Sequence, residues 1–260
     1  MVALLRARYL VPRACPWVSM NKISREILVK RQEVLSELVK YGHKIVETGL
    51  VAGAGGNISA RWKGIFFVKP SGFAFDELTE KDYVGIDIKT GRIISGIHKP
   101  TSEVLLHLYC YRNRPDINAV VHTHSPWAGG VISSGRTLKP MFAEFVCDLE
   151  NVAHIPYFTP TTVKLAEAVG RAIAGNNAVL MTNHGVVTVG ITLKLAYYRN
   201  HVVEDAAKSL VAASVVGRPH LLSKKNIADI KKLDAVIYRQ KVLKQTGGKQ
   251  HGKNKFMGRS

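Results

Sequence analysis

The sequence predicts a single α/β domain. Predicted strands and helices alternate along the chain, and no linker, repeat or low-complexity segment interrupts them before residue 245. The 260 residues are 46% hydrophobic, which is enough for one sizeable core or two small ones. No apolar run approaches the roughly 18 residues that would span a bilayer, so we expect no membrane partner.

Each element follows from a local pattern of apolar residues. In chain order, the patterns predict a helix over 24–48, strands at 57–62 and 65–72, a hairpin over 83–95, a helix over 101–112, a strand at 118–124, a helix over 162–174, a strand at 178–182, and helices over 192–216 and 224–244. Gly49 marks the end of the first helix, and the hairpin turns at 89–91. Thr101 and Ser102 follow Pro100 and are predicted to open the next helix.

Most of the net charge of +18 lies at the two ends of the chain. Residues 1–31 carry seven Lys or Arg and one acid, and residues 239–260 carry seven and none, which leaves 23 basic and 18 acidic residues over 32–238. We therefore expect the body of the protein not to bind nucleic acid. The segment 246–260 is predicted to be a basic, disordered tail because it cannot bury a core.

The first twenty residues are set apart from the predicted fold. Residues 1–20 contain three arginines and no acid, as targeting segments do, but Pro12 and Pro16 break any amphipathic helix. Met20 stands just before the first helical pattern, which favours an upstream start in the gene sequence. The predicted organisation is a non-core extension over 1–20, one domain over 21–245, and the basic tail.

The three cysteines, Cys15, Cys110 and Cys147, show no paired spacing. An odd number without a CxxC motif argues against a disulfide framework and for a reducing compartment. We therefore expect a cytoplasmic protein in which Cys110 and Cys147 are small buried apolar side chains.

Three histidines stand where strands are predicted to end, and they are candidate metal ligands. His122 and His124 are two residues apart at the end of a strand, so both imidazoles point to the same face. His184 follows the buried strand AVLMT and precedes Gly185. Three imidazoles suit Zn²⁺, and also Mn²⁺, Co²⁺ or Fe²⁺. An HxH pair is about as often a surface or packing feature as a metal site, so the pair alone leaves both interpretations open.

Small hydrogen-bond donors cluster in three short segments that could hold an anion. The segments are Gly55-Gly56-Asn57, Ser71-Gly72 and Thr101-Ser102. Glycine allows close backbone approach, and a helix N-terminus favours negative charge. Each segment alone is more often a turn or a helix cap. Glu103 follows directly, either as a surface carboxylate that stabilises the helix dipole or as part of a site, and His107 lies one turn further on, where it could support Glu103.

Taken in order, six motifs resemble the class II aldolase/adducin family. The motifs are GGNIS (55–59), KPSG (69–72), TSEVLLHL (101–108), NAVVHTHSPWA (118–128), IPYFTPTT (155–162) and NHGVVTVG (183–190). The similarity runs from about residue 26 to 222 and is greatest to the L-fuculose-1-phosphate aldolase branch. It implies a three-layer α/β/α fold around a central, mostly antiparallel sheet, and homotetramers with active sites at subunit interfaces.

The resemblance also implies roles for individual residues. Glu103 matches the catalytic acid/base, which also lies at the metal when no substrate is bound. The positions that match metal ligands are His122, His124 and His184, and those that match phosphate-binding residues are Gly56, Asn57, Ser71, Gly72, Thr101 and Ser102. The implied activity is cleavage of a phosphorylated ketose, with Zn²⁺ as the expected cofactor, into dihydroxyacetone phosphate or a similar fragment and an aldehyde.

One position departs from the family pattern. Family aldolases bring a tyrosine from the neighbouring subunit, and this position falls on Phe142 here. Tyr238 matches a second family tyrosine only approximately. Glu144 is a substitute candidate for the proton donor to the leaving aldehyde.

Three other functions stay open at this point. An epimerase of the L-ribulose-5-phosphate type uses the same retro-aldol step, but its additional acid/base residues have no clear counterpart here. A 3-oxo-tetronate-phosphate decarboxylase carries lysine before the glutamate, where this chain has Ser102. A non-catalytic, adducin-like interaction module would work through the lysine-rich tail and would lack the metal histidines.

Overall fold

The computed structural model of the protein describes residues 22–149 and 152–245. The predicted extension over 1–20 and the predicted tail over 246–260 lie outside the described residues. The strands are β1 (Asn57–Trp62), β2 (Ile65–Val68), β3 (Val84–Asp87), β4 (Ile93–Ser95), β5 (Ala119–Thr123), β6 (Val152–Ile155), β7 (Ala178–Met181) and β8 (Gly185–Gly190). The helices are α1 (Lys22–Glu47), α2 (Val104–Asn113), α3 (Pro126–Ser133), α4 (Ala143–Asp148), α5 (Val163–Ile173), α6 (Leu193–Val216), α7 (Lys224–Lys231) and α8 (Asp234–Gln245).

The eight described strands form one sheet, in the order β4-β3-β2-β1-β5-β8-β7-β6. Neighbouring strands are antiparallel except β6 and β7, which run parallel. A parallel pair needs a crossover connection, and α5 supplies it between β6 and β7. The expected mostly antiparallel sheet is confirmed.

Helices cover both faces of the sheet. On one face, α2 and α5 pack over apolar strand residues that include Phe66, Val120 and Val187. On the other face, α1 and α6 pack over Ile58 and Val121. Val120 and Val121 are neighbours on β5 and face opposite layers, because side chains alternate along a strand. The three-layer α/β/α architecture that the resemblance implied is confirmed.

Side-chain caps fix where two of the packed helices begin. Thr162 Oγ1 accepts a hydrogen bond from the Leu165 N–H at 3.3 Å, and Thr192 Oγ1 accepts one from the Leu195 N–H at 3.1 Å. These bonds satisfy amides that have no partner inside the first helical turn. Among the helices that the structure describes, none is long and apolar enough to cross a bilayer.

The helix predicted over 101–112 begins later than expected. It starts at Val104, with Glu103 as its cap residue. Thr101 lies outside the helix, and its N–H donates to the carbonyl oxygen of Lys69 at 2.9 Å. The N-terminus of α2 therefore lies at Glu103 and not at Thr101.

The helix predicted over 224–244 is divided into α7 and α8. The first helix ends at its cap residue Lys232, and the Leu233 carbonyl accepts the first bond of the next one from the Val236 N–H. Asp234 opens α8, where a carboxylate is favoured by the helix dipole. Three further elements, α3, α4 and β6, were not expected from the sequence, because each has eight residues or fewer and shows no clear period.

The strand register gathers the candidate residues at one edge of the sheet. Asn57 on β1 lies directly opposite His122 on β5, so both side chains point toward the layer that contains α2. His184 lies in the tight turn between β7 and β8, where its N–H donates to the Met181 carbonyl at 3.2 Å. Asn183 takes the left-handed conformation that this turn requires, with φ of 53°.

Candidate metal centre and its surroundings

Four side chains meet at this edge of the sheet: Glu103, His122, His124 and His184. One ligand atom from each lies within 4.8 Å of the other three. His122 Nε2 is 3.1 Å from Glu103 Oε2 and 3.2 Å from His124 Nε2. His184 Nε2 is 3.0 Å from Glu103 Oε1. Nitrogen ligands of one tetrahedral Zn²⁺ lie about 3.3–3.4 Å apart, for Zn–N distances of about 2.0–2.1 Å, so the group has the size that one ion needs.

The hydrogen bonding of His122 favours a cation in the middle of this group. Its Nδ1–H donates to the carbonyl oxygen of Val186 at 3.0 Å, so a neutral ring turns the Nε2 lone pair toward Glu103 and His124. A proton on Nε2 can satisfy only one of these two contacts. A metal ion satisfies both at once, and a carbonyl behind Nδ1 is the usual support for a ligating imidazole.

The Glu103 carboxylate also favours a cation in the middle of the group. The residue is 7% exposed, and Oε1 has no hydrogen-bond partner among the described residues although His184 Nε2 is 3.0 Å away. The contact is therefore short without the alignment of a hydrogen bond. A buried carboxylate oxygen of this kind is costly unless a cation lies beside it.

The pKa shifts of Glu103 and His122 also favour positive charge at the centre of the group. Burial alone would raise the pKa of Glu103, but His122 and His184 beside it lower that pKa far below its usual range. Burial lowers the pKa of His122, and the Glu103 carboxylate more than offsets this and raises it. The carboxylate is thus held ionised and attracts positive charge to the centre of the group.

His124 is the exposed member of the group. Partial burial, His122 and His184 together lower its pKa to about 4, so its ring is neutral near pH 7 and offers a nitrogen lone pair. A ligating histidine must be neutral. The centre is therefore enclosed on the side of Glu103 and His122 and opens to solvent on the side of His124.

A chain of hydrogen bonds leads from Glu103 into the core. Asn57 Nδ2 donates to Glu103 Oε2 at 3.0 Å, and Asn57 Oδ1 is 2.5 Å from His107 Nε2. His107 Nδ1 is 2.7 Å from Ser59 Oγ, which is 2.9 Å from the Tyr111 hydroxyl. Burial, with a smaller effect of nearby His122, lowers the pKa of His107 to about 3, so the ring is neutral.

The segment that carries His122 and His124 is fixed from the opposite face by α6. Thr123 lies between the two histidines, and its hydroxyl is 2.7 Å from Asn200 Oδ1. Glu204 accepts hydrogen bonds from two backbone N–H groups at the start of α3, at 3.1 and 2.8 Å. Both polar contacts are buried, so they hold the end of β5 and the following turn in one position.

The three donor-rich segments also come together. The Ser71 N–H donates to the Lys99 carbonyl at 3.0 Å, which pairs the chain around Ser71 and Gly72 with the chain before Thr101. Lys69 connects this pair to the glycine loop, because its Nζ donates to the Ala54 carbonyl at 2.8 Å. Gly56 in that loop has φ of +68°, and a Cβ there would lie 2.8 Å from the His122 carbonyl oxygen. The cradle and the histidine group are therefore contiguous.

Lys69, which lies at the junction of these segments, was not among the candidate residues predicted from the sequence. Its side chain is largely buried, and burial lowers its pKa to about 8, with Glu77 acting in the opposite direction. The available signal was a lysine placed directly after the apolar run IFFV, where a charge has no structural reason to be.

Within the described residues, the candidate proton donors and the aligned Phe142 make no contact with the group of Glu103 and the three histidines. Phe142 and Tyr238 are exposed, and Glu144 is an exposed residue of the first turn of α4. Cys110 and Cys147 are buried and free, as expected.

The fold and the site together define a member of a known class of enzymes. The sequence profile of the class II aldolase and adducin N-terminal domain matches residues 36–211, and the chain belongs to this family. Class II aldolases are metal-dependent carbon–carbon lyases, and the cluster of one glutamate and three histidines is a group that could hold the ion. The recognition of the family from its motifs is confirmed.

Several relatives that carry enzyme names are similar to this chain over most of their length. A 5-deoxy-D-ribulose 1-phosphate aldolase of Bacillus thuringiensis serovar kurstaki is 36% identical over 203 residues, which cover 77% of this chain and 95% of that protein. An L-fuculose phosphate aldolase of Methanococcus vannielii is 36% identical over 174 residues, 67% of this chain and 93% of that protein. A solved structure of an L-fuculose 1-phosphate aldolase matches with a TM-score of 0.72 at 34% identity, and covers 76% of this chain and 94% of that one. The family also includes a 3-oxo-tetronate 4-phosphate decarboxylase of Escherichia coli, 30% identical over 68% of this chain and 85% of that protein.

Proposed function

We propose that the protein is a Zn²⁺-dependent aldolase that cleaves a ketose 1-phosphate into dihydroxyacetone phosphate and an aldehyde. The observation that carries the proposal is the group of Glu103 with His122, His124 and His184, whose facing lone pairs and unpaired carboxylate oxygen call for one cation. Family membership supports the reaction class, and the two aldolases named above support a phosphorylated ketose as the substrate.

The proposed reaction is reversible cleavage of one carbon–carbon bond. When bound, the divalent ion supplies Lewis-acid polarisation of the ketose carbonyl. In the cleavage direction, the C3–C4 bond breaks, the C4 hydroxyl loses its proton as the aldehyde forms, and C3 gains a proton. We assign the proton on C3 to Glu103, the one carboxylate in the group and a side chain held by Asn57 at the rim of the cradle.

The cradle is proposed to hold the phosphate. Gly56, Asn57, Ser71, Gly72, Thr101 and Ser102 supply small donors from three contiguous segments. Lys69 adds a cation at their junction, where a phosphate would also favour its charged form. Binding the phosphate at a fixed position sets the distance between the reacting carbons and Glu103.

The proton transfer at the oxygen of the leaving aldehyde has no side chain assigned to it within the subunit's own pocket. Phe142 has no hydroxyl, so it cannot protonate or deprotonate the oxygen of the leaving aldehyde. Glu144 and Tyr238 are the candidates, and both are exposed, which suits a contribution across a subunit interface. A homotetramer with interface active sites is therefore part of the proposal, as is a reducing, cytoplasmic setting, which the two buried free cysteines support.

A substrate screen tests the proposed function. The full-length, Zn²⁺-loaded protein is incubated with a panel of ketose 1-phosphates, and dihydroxyacetone phosphate is detected by its enzymatic reduction. Release from at least one member of the panel, absent after metal chelation and restored by Zn²⁺, supports the proposal. No release from any member, in a protein that binds one Zn²⁺ per chain, refutes the assigned reaction.

The decarboxylase is the second candidate, because a relative of that name covers two thirds of this chain. Ser102 stands where that branch carries lysine, which favours the aldolase. The same screen therefore includes a 3-oxo-tetronate 4-phosphate, with detection of CO₂, and L-ribulose 5-phosphate, with detection of its epimer. The adducin-like module predicts no turnover in any of these assays.

Glu103→Gln tests the role of the carboxylate. If Glu103 moves the proton on C3, the variant should lose about 10²–10⁴-fold in turnover while its three imidazoles still hold Zn²⁺. If Glu103 only caps α2, the loss of charge should cost about 0.3–1 kcal/mol of stability and leave turnover nearly normal. Glu167→Gln, on the exposed face of α5, is the matched control and should behave as wild type.

A further inference from the structure

The hydrogen bonds that run from Glu103 to Tyr111 have only one consistent direction. An ionised carboxylate can only accept, so the Asn57 atom that faces Glu103 Oε2 at 3.0 Å must be the NH₂ group. Its Oδ1 then faces His107 Nε2 at 2.5 Å, so that nitrogen must carry the ring proton. A neutral ring leaves Nδ1 as an acceptor for the Ser59 hydroxyl at 2.7 Å, and Ser59 Oγ in turn accepts from Tyr111 at 2.9 Å.

Burial excludes the reverse direction of these hydrogen bonds. Ser59 and His107 are 0% exposed, Tyr111 is 1% exposed and Asn57 is 3% exposed. Water therefore cannot replace a reversed or missing partner, and an unpaired buried polar atom is expensive. The ring of Phe66 packs against both His107 and Tyr111, with centroids 6.5 and 5.0 Å away, which limits movement of the two rings.

We propose that His107 is a positioning residue: anchored by Ser59 and Tyr111, it fixes the Asn57 carboxamide with its NH₂ group toward Glu103. The inference rests on the proposed function, in which Asn57 also borders the phosphate cradle. A carboxamide NH₂ has two hydrogens, so this orientation serves the carboxylate with one and leaves the other for an oxygen of the substrate. The flipped amide would instead present its carbonyl oxygen to two negative groups.

A purely structural His107 makes different predictions. A histidine that only fills space in the core can have either neutral tautomer, and any replacement that preserves packing would serve equally well. A positioning histidine must have the Nε2–H tautomer. Its loss should then be repaired specifically by a side chain that carries an N–H at the same place, which Gln does and Leu does not.

The tautomer is tested by nitrogen NMR on the full-length protein labelled with ¹⁵N-histidine, both Zn²⁺-loaded and metal-free. The signals that disappear in His107→Gln identify His107. We expect a neutral ring with the proton on Nε2 in both samples, since the two nitrogens of a neutral imidazole are spectroscopically distinct. A proton on Nδ1 would overturn the proposal. This readout needs no substrate, so it decides the proposal even if the aldolase assignment fails.

Kinetics on the substrate found in the screen test the consequence. His107→Leu should lower kcat on the order of tenfold, because the Asn57 carboxamide is no longer fixed and its charge-assisted hydrogen bond to Glu103 is lost. His107→Gln should recover kcat to within about threefold of wild type. Leu106→Ala, a cavity variant on the same helix, is the control and should lower the melting temperature without this loss of kcat. Equal kcat values for the Leu and Gln variants would overturn the proposal.

A milder variant covers the case in which His107→Leu does not fold. Tyr111→Phe removes only the last hydroxyl of the chain and keeps the ring that packs on Phe66. We expect kcat to fall about two- to threefold with an unchanged Zn²⁺ content, because Ser59 loses the partner that directs its proton toward His107. Unchanged kcat in a Tyr111→Phe protein that has lost stability would show that this series of hydrogen bonds serves folding alone. It would refute the positioning role of His107.

Discussion

His107→Gln should flatten the dependence of stability on pH between about pH 6.5 and pH 4. Burial lowers the pKa of His107 from 6.5 to about 3 in the folded protein, with a further lowering by His122 and an opposing effect of Glu103. As the pH falls through 6.5, the unfolded chain takes up a proton at this residue while the folded chain does not. The contribution of His107 to stability is therefore fully present above pH 6.5 and is lost progressively as the pH falls toward 3.

The pKa difference sets the magnitude. A separation of about 3.5 pKa units at about 1.36 kcal/mol per unit corresponds to a loss of about 5 kcal/mol across the whole interval. Within it, the free energy of unfolding of wild type should fall about 1.4 kcal/mol per pH unit more steeply than that of His107→Gln. Gln keeps a hydrogen-bond donor toward Asn57 and does not titrate, so the comparison isolates the imidazole.

Urea unfolding of the metal-free protein at fixed concentration, at pH values from 7.5 to about 4, measures the difference. Removing the metal matters because its binding adds its own pH dependence. His124 also has a lowered pKa, but it is present in both proteins and cancels in the comparison. The exposed His220→Gln controls for replacing an imidazole by an amide. Parallel stability curves for wild type and His107→Gln would refute the assignment of His107 as a buried neutral ring.

Three further predictions concern the metal, the tail and the glycine loop. His122→Ala should lose most of its bound Zn²⁺ by elemental analysis while His220→Ala keeps it, and equal metal in both would contradict the ligand assignment. Removal of 247–260 should leave turnover nearly unchanged, because the segment carries no motif, whereas complete loss in an intact oligomer would favour an interaction role for the tail. Gly56→Ala and Gly53→Ala both strain a left-handed backbone, but only the first places a Cβ 2.6 Å from Val51 and 2.8 Å from the His122 carbonyl. Zn²⁺ titration should therefore show weaker binding for Gly56→Ala than for Gly53→Ala, and equal affinities would argue against coupling between the loop and the metal group.

Local patterns predicted the parts of the fold in which neighbours in sequence decide the structure. The hairpin over 83–95 forms because Gly91 supplies the left-handed turn residue, with φ of +74°, between two apolar strands. His122 and His124 could be paired from sequence because side chains two apart on a strand share a face. The start of α2 could not, since Thr101 is hydrogen-bonded to Lys69, more than thirty residues away, and no local pattern encodes that contact.

The candidate site shows the same division. The approach of His184 to His122 depends on the order β5-β8-β7 in the sheet, which no local period encodes. The position of His184 after a buried strand made it a candidate ligand, and the resemblance to a family placed it with His122 and His124. The contact of Asn57 with His107 depends on the phase of α2 relative to β1, which is a property of packing. Motif spacing therefore identified Asn57 as a cradle residue but not as a partner of Glu103.

The arrangement of the group implies the direction from which a substrate must approach. Glu103 and His122 are buried against α2 and β8, so neither can be reached from behind. His124 is exposed, and a Cβ at Gly55 would lie 3.2 Å from its Nδ1, which places the glycine loop against the open side of the group. A phosphate held by this loop and a carbonyl directed at the ion would then lie on the same side of His124. The proposed aldolase reaction needs this placement, because Glu103 moves the proton on C3. This carbon is only two bonds from C1, which carries the anchored phosphate.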